Sequence, residues 1–101
     1  MNNEQRFLNL LGIAMRAGKL ISGEETTLNS VRSNKVKLVI VASDVSQNTE
    51  KKMRDKCGSY ETPIIVAFNK MELSHAIGKS RAIIGVCDAG FSRKLSDLMK
   101  E

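Results

Sequence analysis

Lys37-Leu38-Val39-Ile40-Val41-Ala42-Ser43-Asp44 is the stretch on which the fold turns. Leu38 to Ala42 is the longest purely apolar run in the chain, and its Val-Ile-Val centre favours extended backbone. The run does not alternate apolar with polar residues, which is the pattern of a strand covered on both faces. Two more runs read the same way: Ile64-Ile65-Val66-Ala67-Phe68, expected to be doubly buried, and Ala82-Ile83-Ile84-Gly85-Val86-Cys87.

The segments between these strands carry helical periodicity. From Glu4 to Ala17, residues Phe7, Leu8, Leu11, Ala14 and Met15 recur at three- and four-residue spacing, and Gly18 supplies a C-terminal stop. Ser22-Gly23-Glu24-Glu25 has the Ser-x-x-Glu form of a capping box and opens a second helix to about Ser33. A third helix is expected from Ser46 to Cys57, ended by Gly58. Asn69 and Glu72 cap a short fourth helix that stops at Gly78, and Phe91, Leu95, Leu98 and Met99 share one face of a fifth. Strands separated by helices imply crossovers and a three-layer α/β/α sandwich. The extended Lys19–Ser22 piece is expected at a sheet edge, giving a mixed four-stranded sheet within a single domain, 1–101.

At 101 residues the chain is long enough to bury roughly two-thirds of its unfolded surface. No apolar run approaches the ~20 residues of a membrane span, so no membrane partner is expected. Met1 to Arg6 lack the basic start and apolar stretch of a signal peptide. Two cysteines, Cys57 and Cys87, without secretory features read as reduced thiols in a cytoplasmic protein. With one histidine besides, the chain is short of the ligands for structural zinc, and no metal or cofactor is expected.

Catalytic patterns are equally sparse. Gly12 to Lys19 fails as a phosphate loop: five residues separate the glycines, Leu20 follows the lysine, and a helix precedes. Gly12 reads instead as a close-packing position. His75, on the fourth helix, has no partner visible in the sequence, and Cys87 in an apolar strand reads as packing. No enzyme is expected.

The charge points to a different class. Sixteen Lys+Arg against eleven Asp+Glu give a net +5, a balance that favours a polyanionic partner. Arg16, Lys19, Lys35, Lys37, Lys70, Lys79 and Arg81 gather near the ends of predicted elements, where a rigid sandwich presents binding groups. Lys51, Lys52, Arg54 and Lys56 share the third helix with Glu50 and Asp55 and read as a solvated face with local ion pairs. With only four aromatic residues, Phe7, Tyr60, Phe68 and Phe91, the chain does not suit a stacking platform for single strands.

Gly18-Lys19-Leu20-Ile21-Ser22-Gly23, Lys37 to Asp44, Thr62-Pro63-Ile64 and Lys70-x-x-Leu73-x-x-Ala76-x-Gly78-x-Ser80-Arg81, in that order and spacing, resemble the kink-turn-binding ribosomal protein family of the L7Ae/L30e type. The resemblance runs from about Phe7 to Cys87, and the short length and the 91–101 tail are most similar to bacterial members. It implies the α/β/α fold and a non-enzymatic protein that binds structured RNA, kink-turn-like and ribosomal in type. Contacts with the ribosome or with translation or transcription factors are expected as well. An alternative on the same scaffold is a protein-interaction module with weak RNA binding.

In the family, the start of the second helix reads sheared G·A pairs with a Gly-x-Asn-Glu-x-x-Lys pattern. The resemblance places Gly23, Glu24, Glu25, Thr26 and Asn29 there, with Glu25 at the Asn position, Thr26 at the Glu position and Asn29 at the Lys position. Carboxylates at that point repel phosphate, but Glu25 is able to accept from guanine N–H groups; its other expected role is capping-box partner of Ser22. Lys70 matches a family lysine that approaches the RNA backbone and Arg81 a loop arginine, the two expected to contact the backbone or the flipped nucleotide; Lys79, Ser80 and Ile83 border the same loop. Ile84 matches an apolar residue beside an extruded nucleotide; its other expected role, shared with Ile83, is to fill the last strand. Ser74 replaces a common family glycine and is given no functional role.

Overall fold

The computed structural model describes residues 2–100; Met1 and Glu101, the two ends of the expected 1–101 domain, lie outside the described residues. The element order is α1 (Asn3–Arg16), β1 (Leu20–Ser22), α2 (Glu24–Arg32), β2 (Leu38–Val41), α3 (Gln47–Ser59), β3 (Ile64–Val66), α4 (Lys70–Ile77), β4 (Ile83–Val86) and α5 (Ala89–Met99). The four strands form one mixed sheet in the order β1-β4-β2-β3. β2 and β3 are parallel, and β4 runs antiparallel to both β1 and β2.

The pleat divides the apolar run that fixed the fold. Leu38, Ile40 and Ala42 join Phe7, Leu11, Leu73, Ile84, Val86 and Leu95 in a core beneath α1, α4 and α5. Val39 and Val41 face the opposite way, into a core with Leu28, Val31, Met53, Cys57 and Ile83 from α2, α3 and β4. Successive side chains of a strand point to opposite faces, so a strand between two helical layers must be apolar throughout. All four residues of β2 are buried, as are all four of β4.

β3 departs from the double burial expected of it. It pairs only with β2, sits at the sheet edge, and its three residues are half-buried. β1 takes the other edge, where the extended Lys19–Ser22 piece was expected. α3 passes through Gly58, the expected stop, to Ser59; the chain reverses two residues later at Glu61, with φ 55°.

Close approach explains two glycines. A Cβ on Gly12 would come within 3.0 Å of the Ala76 carbonyl oxygen, so α1 and α4 pack backbone to backbone there. On Gly85, between β1 and β2, it would meet Ile21 and Val36 side chains at 3.0 and 3.1 Å.

Backbone and side-chain hydrogen bonds gather three loops at one end of the sheet. Gly23 N–H donates to the Ile83 carbonyl at 2.9 Å and Ala42 N–H to the Ala82 carbonyl at 2.8 Å. Ser43 donates to the Phe68 carbonyl through both its amide, at 2.7 Å, and its hydroxyl, at 2.8 Å. These two bonds steady Phe68, a non-glycine residue at φ 65°, whose ring stacks on Phe7 with centroids 5.2 Å apart. Asp44 accepts from the Lys70 amide at 2.9 Å. The starts of α2 and α4 and the loop before β4 are thereby fixed to one another.

Candidate nucleic-acid interface

Four of the five described helices begin with a side-chain cap: Asn2 for α1, Ser46 for α3, Asn69 for α4 and Asp88 for α5. Asn69 and Glu72 form the full reciprocal box expected of them. α2 differs. Its N-cap is Gly23, and no side chain caps it. The expected Ser22–Glu25 capping box does not form, because Ser22 is a β1 residue paired with Ile84 and its hydroxyl accepts from Arg81 instead. Gly23 adopts φ 98° and ψ 150°, a region essentially closed to residues with a Cβ. The first-turn N–H groups of α2 are left for solvent or for a ligand's acceptor atoms.

Around that helix start lies an open cavity of about 370 Å³, lined by Gly23, Glu24, Asp44, Val45, Ser46, Thr49, Lys70, Ala82 and Ile83. Lys70 also borders a second depression with Asp44, Met71, Ser74, His75, Lys79 and Ser80. Gly23, Glu24, Lys70, Lys79, Ser80, Arg81 and Ile83 therefore meet at one edge, although sequence separates them by up to sixty residues.

Glu25, Thr26 and Asn29 are exposed on α2. Glu24 is not free: its carboxylate accepts from Lys52 Nζ at 2.8 Å, an α3-to-α2 ion pair that also holds the Lys52 pKa above its ordinary value. Asn29 Oδ1 accepts from Arg32 Nη1 at 3.1 Å. The cation that Asn29 lacks is thus supplied one helical turn later, by a residue that sequence reading passed over.

Ile84 takes the second of its two expected roles. It is fully buried in the core with Phe7, Leu11 and Leu95. Ile83 is 4% exposed and packs into the opposite core while lining the cavity wall.

The cations sort into two groups. On α3, Lys51 pairs with Asp55 and Arg54 with Glu50, both at 2.9 Å, and Lys52 with Glu24, as the solvated-face reading anticipates. Lys70, Lys79 and Arg81 have no carboxylate partner among the described residues. Arg81 is half-buried and held by neutral groups: Nε donates to Ser22 Oγ at 3.1 Å and Nη1 to the Ser80 carbonyl at 2.9 Å. A charged guanidinium so placed keeps its attraction for phosphate and has three N–H donors left over.

Burial pushes the thiols of Cys57 and Cys87 up, which keeps them protonated and poorly nucleophilic at neutral pH. No group of three His, Cys, Asp or Glu able to hold a metal occurs among the described residues. No described helix is long and apolar enough to cross a membrane.

Comparison with known proteins agrees with this architecture. The profile of the ribosomal protein L7Ae/L30e/S12e/Gadd45 family matches residues 5–96. The chain is 47% identical to the RNA-binding protein YlxQ of Enterococcus faecium over 98 residues, which cover 97% of this chain and 95% of that protein. A solved structure of a protein of unknown function from Bacillus halodurans C superposes with a TM-score of 0.92 at 51% identity, covering 94% of this chain and 97% of the other. The 15.5kD RNA binding protein of Giardia lamblia shares the fold, with a TM-score of 0.80 at 17% identity over 97% of this chain and 85% of the other.

Proposed function

The chain belongs to the ribosomal protein L7Ae/L30e/S12e/Gadd45 family, and from that premise we propose that it is a non-enzymatic, cytoplasmic protein of one domain that binds structured RNA of the kink-turn type. The observation that carries the reading is the uncapped start of α2 lying at the same edge as Lys70, Lys79 and Arg81, all three without carboxylate partners. Open N–H groups and the positive end of the helix dipole suit an acceptor-rich ligand, and the three cations suit the phosphates on either side of it.

Within this reading each side chain has a distinct task. Gly23 lets the RNA approach the helix start without a Cβ in the way. Glu25 accepts from the N1–H and N2–H of a guanine, and Thr26 and Asn29 offer hydroxyl and amide groups to neighbouring base edges. Glu24, already paired with Lys52, presents less negative charge to the phosphates than its sequence position suggests. Lys70, Lys79 and Arg81 bind the backbone, while Ser80 and the Ile83 wall border an unstacked nucleotide. The ribosomal family profile and the relative named as an RNA-binding protein favour a ribosomal or translation-linked RNA and the protein contacts that go with it.

A second reading, a protein-interaction module with weak RNA binding, is favoured by the exposed Glu25 carboxylate at the point where phosphates would approach. One experiment separates the two. Binding is measured to a short RNA containing a kink-turn and to a matched duplex without the internal loop, across a salt series. The proposal expects tighter kink-turn binding that persists as salt rises. Equal binding to both RNAs, falling steeply with salt, would reduce the surface to phosphate attraction and favour the protein module.

A further inference from the structure

Ser74 lies on α4, half-buried, and its hydroxyl makes two contacts with the backbone of one distant residue: it accepts from the Arg81 amide at 2.9 Å and donates to the Arg81 carbonyl at 3.1 Å. From the other side, Ser22 at the end of β1 accepts from Arg81 Nε at 3.1 Å. Arg81 itself closes the loop by donating from Nη1 to the Ser80 carbonyl at 2.9 Å. Its Nε also lies 4.0 Å from where a Cβ on Gly23 would sit. A side chain with several rotatable bonds is thus fixed at its backbone, at Nε and at Nη1.

We infer that Ser74 and Ser22 are positioning residues that hold the Arg81 guanidinium against the start of α2, so that the 78–82 loop and that helix start meet a ligand as one preformed surface. A free arginine loses rotamer freedom when it docks; one already fastened does not, and the saving appears as affinity. Neither serine need touch the RNA. Ser74 is the stronger of the two, because it satisfies both backbone polar groups of Arg81 at a half-buried position, where an unpaired amide is costly. The inference rests on the RNA-binding reading for its purpose, but the fastening of Arg81 is testable without RNA.

In the RNA-free protein, Ser74→Ala is expected to speed amide hydrogen exchange at Arg81 by about tenfold and to lower the 15Nε order parameter of its side chain, with exchange at Leu73 and Ile84 unchanged. Ser74→Thr, which keeps the hydroxyl, should restore both. Ser22→Ala releases Nε alone and should lower the side-chain order parameter without altering the Arg81 amide, which keeps the test open if Ser74→Ala folds poorly. Unchanged exchange and order in the alanine variants would overturn the inference.

Against a kink-turn RNA, Ser74→Ala should bind about fivefold to tenfold more weakly, while the slope of log affinity against log salt stays at the wild-type value because Arg81 keeps its charge. An unchanged affinity would mean that fastening Arg81 contributes nothing to binding and would contradict the inference. If the wild-type protein fails to prefer the kink-turn, the RNA reading falls, and the exchange measurements still decide whether the serines hold Arg81.

Discussion

Arg81→Ala is expected to weaken binding of a kink-turn RNA by about tenfold to a hundredfold, the range set by losing a charge-assisted hydrogen bond of ~1.5–3 kcal/mol. Lys52→Ala should change it by less than about threefold. Both substitutions remove one positive charge, so the comparison separates a placed cation from diffuse attraction. Arg81 is half-buried, anchored through Ser22 and Ser74, and without a carboxylate partner among the described residues. Lys52 is exposed and already committed to Glu24. The slope of log affinity against log salt should also flatten by about 0.7–0.9 for Arg81→Ala, as expected for one lost phosphate contact. Equal losses in the two variants would show that the charge acts diffusely and that the site has been assigned to the wrong face.

The largest effect on stability is expected at Phe7, far from that edge in sequence but coupled to it in structure. Phe7→Ala should destabilise the protein by about 3–5 kcal/mol in urea unfolding, from lost transfer energy plus the cavity left behind. Phe7 is fully buried among residues of β2, β4, α4 and α5, and its ring supports Phe68, whose left-handed backbone precedes the Asn69 cap and Lys70. Ile13, on the same helix but 46% exposed, serves as the control and should cost under about 1 kcal/mol on truncation. A loss in Phe7→Ala no greater than in Ile13→Ala would mean that the core beneath α1 is not packed as described. Set against the ~5–15 kcal/mol that holds an ordinary domain together, the expected loss leaves little margin.

Much of this architecture is readable in the residues themselves. Leu38 to Ala42 is apolar at every position because the pleat feeds two cores at once, and its β-branched Val-Ile-Val centre favours the extended backbone. Asn69, Glu72 and Gly78 bracket α4 because caps are local chemistry: the partners are three residues apart and need no knowledge of the rest of the chain. Order within a sheet is not local. The Ile64 run looks like the Leu38 run, yet β3 falls at the edge and is only half-buried, because burial depends on which strands flank it.

The site shows the same division. Family resemblance brings Gly23, Lys70 and Arg81 into view, and the structure gathers them at one end of the sheet. A Ser-x-x-Glu match at Ser22 to Glu25 suggests a box, but tertiary pairing of Ser22 with β4 and the positive φ of Gly23 override it. Ile84 carries no mark in the sequence that distinguishes a core residue from one beside a ligand; its partners across the sheet decide. Ser74 is the clearest case. A lone serine within a helix has no pattern to announce it, and its role appears only when a loop seven residues onward folds back onto its hydroxyl.

RNA is proposed to dock on the edge formed by the start of α2, Lys70 and the loop before β4. Titrating a kink-turn RNA into 15N-labelled protein and following the amide resonances tests it most directly. The largest shifts are expected at Glu24, Glu25, Thr26, Lys70 and Ser80 to Ile83, with the exposed face of α3 from Lys51 to Lys56 nearly unmoved. Largest shifts along α3, or small shifts spread over every basic surface, would contradict it.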